Sequence, residues 1–140
     1  MKTQTIRYFR MEHNIDIFLF TESWIKEEDI MTIKELECKK ECNLYTKPKS
    51  DRSGGVVSPV KTGIKVTIID SEPRKSFEHM ELQIDIKGTA VTILIIYRPE
   101  PSNKTNYTMS EFYTEITEYF TKLNCKKNEI IIAGDFDIHI

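Results

Sequence analysis

The sequence predicts an α+β fold in which helices pack outside β-sheets. Three observations lead there. Apolar Met80, Leu82, Ile84 and Ile86 alternate with polar Glu81, Gln83 and Asp85, the period-2 pattern of a strand with one face in and one face out. Lys87-Gly88 then turns this strand into Thr89–Tyr97, which is apolar nearly throughout. Downstream, Thr108 and Glu111 form a capping-box pair ahead of Phe112, Ile116, Tyr119/Phe120 and Leu123, spaced as the inner stripe of a helix over Ser110–Leu123.

The other elements follow in order. Ile6 and Phe9 share a face at helical spacing, so Thr3–Glu12 reads as a short helix. Ile15–Thr21 (IDIFLFT) reads as a strand buried on both sides. Ile25–Leu36 sets Ile30, Ile33 and Leu36 among charges, an amphipathic helix. A strand near Asn43–Lys47 runs into the loop Pro48–Gly55. Val56–Val60 and Ile64–Ile69 are strands flanking a turn at Lys61–Gly63. Arg98–Thr108, rich in Pro and Asn, is a loop, and Glu129–Ala133 is a last buried strand.

A chain of 140 residues suits one domain, and no internal repeat or low-complexity stretch divides it. No apolar run nears the ~18 residues of a membrane span, so no membrane partner is expected. Met1 to Arg10 is polar and basic, unlike a secretory leader; an intracellular protein, nuclear or cytoplasmic and not secreted, is expected. Three cysteines, Cys38, Cys42 and Cys125, fit reduced thiols. Cys38 and Cys42 could be half a metal site, but no second Cys/His pair follows at zinc spacing. The sequons at Asn103 and Asn106 read as chance matches. A net charge of −2 gives no overall pull toward nucleic acid. Lys39, Lys40, Lys47, Lys49 and Arg52 surround a Ser-Gly-Gly loop, either a phosphate contact or a solvated face.

Carboxylates follow two of the apolar strands: Glu22 after IDIFLFT, and Asp135 with Asp137 after EIIIAG. Strand ends hold groups at fixed spacing over a pocket. Asp135 and Asp137, two apart, project to one side in extended backbone while Phe136 anchors on the other. Carboxylates converging from separate strands repel one another, and a hard divalent cation relieves that repulsion. Exposed acids at strand-to-loop junctions are the ordinary alternative, and the residues alone leave both open.

Thr21-Glu22-Ser23-Trp24, Ser53-Gly54-Gly55-Val56, Tyr97-Arg98-Pro99 and Gly134-Asp135-Phe136-Asp137-Ile138-His139 stand in the order and spacing of the endonuclease/exonuclease/phosphatase superfamily. The set looks most like endonuclease domains of LINE-type (non-LTR) retrotransposons, and Ser76-Phe77-Glu78-His79-Met80-Glu81 adds to the likeness. The resemblance runs from the first helix to the last residue. It implies a DNase-like four-layer α/β/β/α sandwich, phosphodiester hydrolysis, Mg2+ (or Mn2+) as cofactor and DNA as partner. It also implies Glu22 as metal ligand, Tyr97 as a rim group touching the scissile phosphate, and Asp135 as the group that aligns or deprotonates the attacking water. Asp137 stands where the family usually has asparagine. For Arg98 the likeness implies a phosphate contact or a surface role.

The sequence also departs from that pattern. The family's opening strand with its asparagine is absent, and Asn14, which follows the first helix, does not replace it. The closing part with a further aspartate and Ser-Asp-His is absent too, and His139 belongs to the GDFD stretch. An ionised Asp137 cannot donate a hydrogen bond and meets phosphate with like charge. Residues 1–140 are therefore expected to be a partial, incomplete domain, inactive alone and self-associating through uncovered sheet edges. A non-catalytic module binding nucleic acid or protein, and a phosphatase acting on lipids or small molecules, are the competing expectations.

Overall fold

The computed structural model describes residues 3–26, 28–37, 40–47, 55–69, 72–101 and 105–137. The Cys38 half-site, the Ser53-Gly54 pair, Asn103, His139 and most of the basic cluster lie outside them. Helix α1 (Thr3–His13) ends one residue beyond the Glu12 that the helical periodicity predicts. Asn14 follows with φ 52°, and the Ile15 amide donates to the Arg10 carbonyl at 3.2 Å. This is the Schellman stop, for which Asn is one of the few tolerant residues. Asn14 is a helix terminator.

Ile15–Thr21 does not form the expected continuous strand. It runs antiparallel to β2 (Val56–Lys61) through two isolated bridges, Ile17 to Val60 and Phe20 to Val57. The reason is Pro59, which has no amide to give to the ladder. Phe18 N–H still donates to the Pro59 carbonyl at 3.0 Å, and the Ser58 hydroxyl donates to the Phe18 carbonyl at 2.8 Å in place of the missing amide. The segment is half-buried instead of covered on both sides.

Helix α2 (Ile30–Leu36) starts five residues later than its periodicity suggests. The Asp29 carboxylate accepts the Lys26 amide at 2.9 Å, and this local turn competes with helix before Ile30. Strand β1 (Cys42–Lys47) pairs antiparallel with β2 along its whole length. Strand β3 (Val66–Ile68) joins a different sheet, so the strands flanking Lys61–Gly63 do not pair with each other.

The second sheet has the order β3, β4 (Glu78–Ile86), β5 (Thr89–Tyr97), β6 (Glu129–Asp135). The β4–β5 hairpin has the expected register, Ile86 opposite Thr89. Lys87 and Gly88 both take positive φ (52° and 85°), the type I′ geometry that matches strand twist. Helix α3 (Met109–Asn124) opens with the capping box intact: Thr108 accepts the Glu111 amide, and Glu111 accepts the Thr108 amide. It leads into β6, which runs parallel to β5.

Two apolar cores result. Phe77, Leu94, Ile96, Tyr107, Phe112, Ile116, Tyr119 and Leu123 join α3 to the larger sheet. Met80, Leu82, Ile84, Ile93, Ile95 and Tyr97 meet Val56 between the sheets. With α1 and α2 on the β1–β2 side, the layers are α/β/β/α. Two strand expectations change here. Glu81 is buried, not solvent-facing, because α3 covers its side of β4; Tyr119 donates to it at 3.0 Å and Lys126 pairs with it. Strand β6 is an edge among the described residues, leaving Ile131 and Ile132 exposed. No described helix is long and apolar enough to cross a membrane.

Candidate functional site

Three strands end side by side. Glu78 at the start of β4 is the register partner of Tyr97 at the end of β5, and Tyr97 is the partner of Asp135 at the end of β6. Residues paired across strands share a face, and neighbouring strands lie about 4.8 Å apart. Glu78, Tyr97 and Asp135 therefore form a row on the inner face, continuing the apolar rows of Met80, Ile95 and Ala133.

Glu22 reaches this row from the other sheet. The Tyr97 hydroxyl donates to Glu22 Oε1 across 75 residues of sequence. Glu22 and Trp24 both take left-handed backbone, φ 51° and 54°, and buried Ser23 between them donates its amide to the Gly55 carbonyl at 3.1 Å. Non-glycine residues adopt that region at a cost of order 1 kcal/mol each, so the packing around Thr21–Trp24 holds the turn against local preference. Gly55, at φ 95°, donates its own amide to Glu78 Oε2 at 2.6 Å. A β-carbon at Gly55 would also meet the Ser23 hydroxyl at 3.0 Å. Glu78 thus ties the loop behind Glu22 to the start of β4.

The Tyr97 phenol pKa is raised well above its ordinary value. Burial is the largest cause; the hydrogen bond to Glu22 and the charges of Glu22, Glu78 and Asp135 add to it. Tyr97 is therefore a firm hydrogen-bond donor at neutral pH, set among three carboxylates.

Arg98 departs from its expected place. It is 3% exposed, so it does not stand free to meet phosphate or solvent. Its Nε donates to the Phe136 carbonyl at 2.5 Å and its Nη2 to the Asp137 carbonyl, and its guanidinium lies 5.1 Å from the Phe112 ring centre. Its backbone amide donates to the Asp135 carbonyl at 2.9 Å. Planar guanidinium groups suit such multi-point clamping. Arg98 fastens the Asp135–Asp137 turn to α3. Within that turn Asp137 takes φ 42° and donates its amide to Asp135 Oδ1 at 3.2 Å, while its carboxylate lies 4.0 Å from Arg98 Nη2.

The sequence-derived candidates Glu22, Tyr97 and Asp135 come together; Asp137 flanks them on the Arg98-held turn. Glu78 was not among them, although a signal was present. Extending the Met80–Ile86 alternation back by one step places a carboxylate on the apolar inner face.

Among the described residues, no three His, Cys, Asp or Glu side chains gather closely enough to hold a metal ion alone. That does not fit a closed structural cage. The oxygen-only donors do fit a magnesium-like ion, which keeps several waters and takes one or two carboxylates together with substrate phosphate.

No protein-family model and no curated protein sequence matches this chain significantly. Solved structures do. TDP2 from C. elegans superposes with TM-score 0.69 at 15% identity, covering 98% of this chain and 42% of that one. D. rerio TDP2 complexed with single strand DNA product gives TM-score 0.67 at 11% identity, covering 99% and 54%. An endonuclease/exonuclease/phosphatase family protein from Bacteroides thetaiotaomicron gives 0.63 at 14% identity, covering 98% and 54%. The chain has the endonuclease/exonuclease/phosphatase fold. It spans about half the length of these structures.

Proposed function

We propose that this chain carries the metal- and phosphate-binding side of a phosphodiester hydrolase acting on DNA, of the retroelement-endonuclease kind. The observation that supports it best is the meeting of Glu22, Tyr97 and Asp135 at adjoining strand ends. The fold it shares with a DNA-complexed structure points the same way.

In this reading Glu22 holds a Mg2+ (or Mn2+) ion, which when bound polarises a phosphoryl oxygen and offsets developing charge. Tyr97 stays protonated, orients Glu22 and lines the rim that receives the scissile phosphate. Asp135 aligns a water and accepts its proton. Arg98 positions the Asp135–Asp137 turn and partly offsets the charge of Asp137. Asp137 remains unsuited to hold phosphate, because a carboxylate offers like charge and no donor. Loss of one transition-state donor commonly lowers rate by roughly 100- to 1000-fold, so turnover in this chain is set near background.

The same Asp137 favours a second reading, a module that binds DNA without cleaving it. Magnesium titration followed by amide resonances, run beside plasmid nicking, separates them. Metal binding weakened by Glu22→Gln supports the site, and binding indifferent to that change removes it. Nicking that disappears in Glu22→Gln establishes the hydrolase and overturns the near-background turnover. Metal and DNA binding without nicking is the outcome of the second reading.

A further inference from the structure

Trp24 is the one tryptophan in the chain, and it stands 59% exposed two residues from Glu22. A large aromatic ring is ordinarily drawn into a core or an interface, since burying it is favourable by a few kcal/mol. Here the backbone holds it outward. Trp24 sits at φ 54° and Glu22 at φ 51°, on either side of buried Ser23, whose amide is fixed to the Gly55 carbonyl. The turn that lets Glu22 reach Tyr97 is the turn that carries the indole to solvent. Two residues span at most about 7 Å of backbone, so the exposed indole is anchored on the chain within that distance of Glu22.

We infer that Trp24 is a base-stacking platform for single-stranded or unpaired nucleic acid, set next to the Glu22–Tyr97–Asp135 row. The inference rests on the phosphodiesterase reading and specifies its substrate class. An indole offers a flat π face that every nucleobase matches and that a sugar phosphate or phospholipid headgroup does not. Bases inside a duplex already stack on their neighbours, whereas unpaired bases have a free face. With a divalent ion offsetting the charge of the carboxylates, the phosphate would lie at the cluster and Trp24 would hold an adjoining base. The combination selects a strand carrying bases from other phosphodiesters and phosphomonoesters.

The single indole is its own probe. In magnesium buffer, the full chain is titrated with a ten-nucleotide single-stranded dT oligomer and with an abasic deoxyribose-phosphate chain of the same length. Emission of Trp24 is expected to fall saturably with the first and not with the second. Binding is followed in parallel by anisotropy of labelled oligomers. Stacking contributes about 1–3 kcal/mol per base, so Trp24→Ala is expected to weaken oligo-dT binding roughly tenfold while leaving the abasic chain's affinity unchanged. Trp24→Phe, which keeps a ring, should recover part of the loss. Oligo-dT binding that Trp24→Ala leaves unaltered overturns the platform alone, as does an equal loss for both ligands; in each case the Glu22-dependent metal site stands. Binding of neither ligand by the unaltered chain overturns the platform together with the DNA reading.

Discussion

Tyr97 and Glu22 join the two sheets at the site. The phenol hydroxyl of Tyr97, at the last residue of β5, donates to a carboxylate carried by the turn after Phe20. The contact ties the Glu22 carboxylate to the end of β5 and adds to the burial that keeps Tyr97 protonated. Tyr97→Phe removes the donor and leaves the ring packing. Hydrogen bonds to charged groups contribute about 1.5–3 kcal/mol, so urea unfolding should register a loss near the lower end of that range. In the proposed metal site Tyr97 supports the ligand Glu22, and loss of such a support typically weakens metal affinity about 10- to 100-fold. Unchanged magnesium affinity in Tyr97→Phe would separate the hydrogen bond from metal binding.

Tyr97 also predicts how the chain responds to alkali. Its folded-state pKa is raised, so above the ordinary phenol value of about 10 the unfolded chain has released a proton that the folded chain still holds. Folded protein then binds more protons than unfolded protein, and stability falls as pH rises past about 10, by up to about 1.4 kcal/mol per pH unit for this group. Tyr107, whose pKa burial also raises, acts in the same direction. Thermal unfolding between pH 9 and 11 should therefore show a steeper loss in the unaltered chain than in Tyr97→Phe. Equal slopes would count against the raised pKa.

Gly134 is a steric requirement. A β-carbon there would come within 1.8 Å of the Ile96 carbonyl oxygen and 2.9 Å of its amide nitrogen. These are backbone atoms of β5, the central partner of β6, and cannot rotate away. Gly134→Ala should destabilise by about 3 kcal/mol or more, or pull the end of β6 off β5 and carry Asp135 from Tyr97. A variant with unaltered unfolding midpoint and unaltered Asp135 resonances would refute the contact.

The edge of β6 left unpaired among the described residues predicts self-association. Ile131 and Ile132 are 52% and 43% exposed on opposite faces of an edge strand with no charge between Glu129 and Asp135, a pattern prone to pairing. A second copy is expected to pair antiparallel with Ile131 opposite its own copy, because this register sets Ile130 against Ile132 and Lys127 against Asp135. Sedimentation should be concentration-dependent, and Ile131→Lys should give a monomer. Lys127→Glu and Asp135→Lys should each weaken the dimer, and the two together should restore it. Failure of the double exchange to restore pairing would rule out this register.

Much of this architecture was legible locally. The Lys87-Gly88 turn, the β4–β5 register it sets and the Thr108–Glu111 capping box each depend on residues within a few positions of one another, and the structure has them as read. The ordered motifs marked Glu22, Tyr97 and Asp135 as candidates. Other features depended on which surface met which. Glu81 looks solvent-facing in its strand and is buried because α3 lies over it with Tyr119 and Lys126. Arg98, read as a phosphate contact or a surface residue, is a buried clamp because Phe136, Asp137 and Phe112 surround it. The strands beside Lys61–Gly63 look joined and part to separate sheets. Glu78 joins the row only because the start of β4 lies level with the ends of β5 and β6. Turns and caps are specified by backbone dihedrals and hydrogen bonds a few residues long, so short sequence windows encode them. Burial of a charge, the sheet a strand enters and the meeting of Glu22 with Tyr97 are set by surfaces brought together from distant segments, which no single window contains.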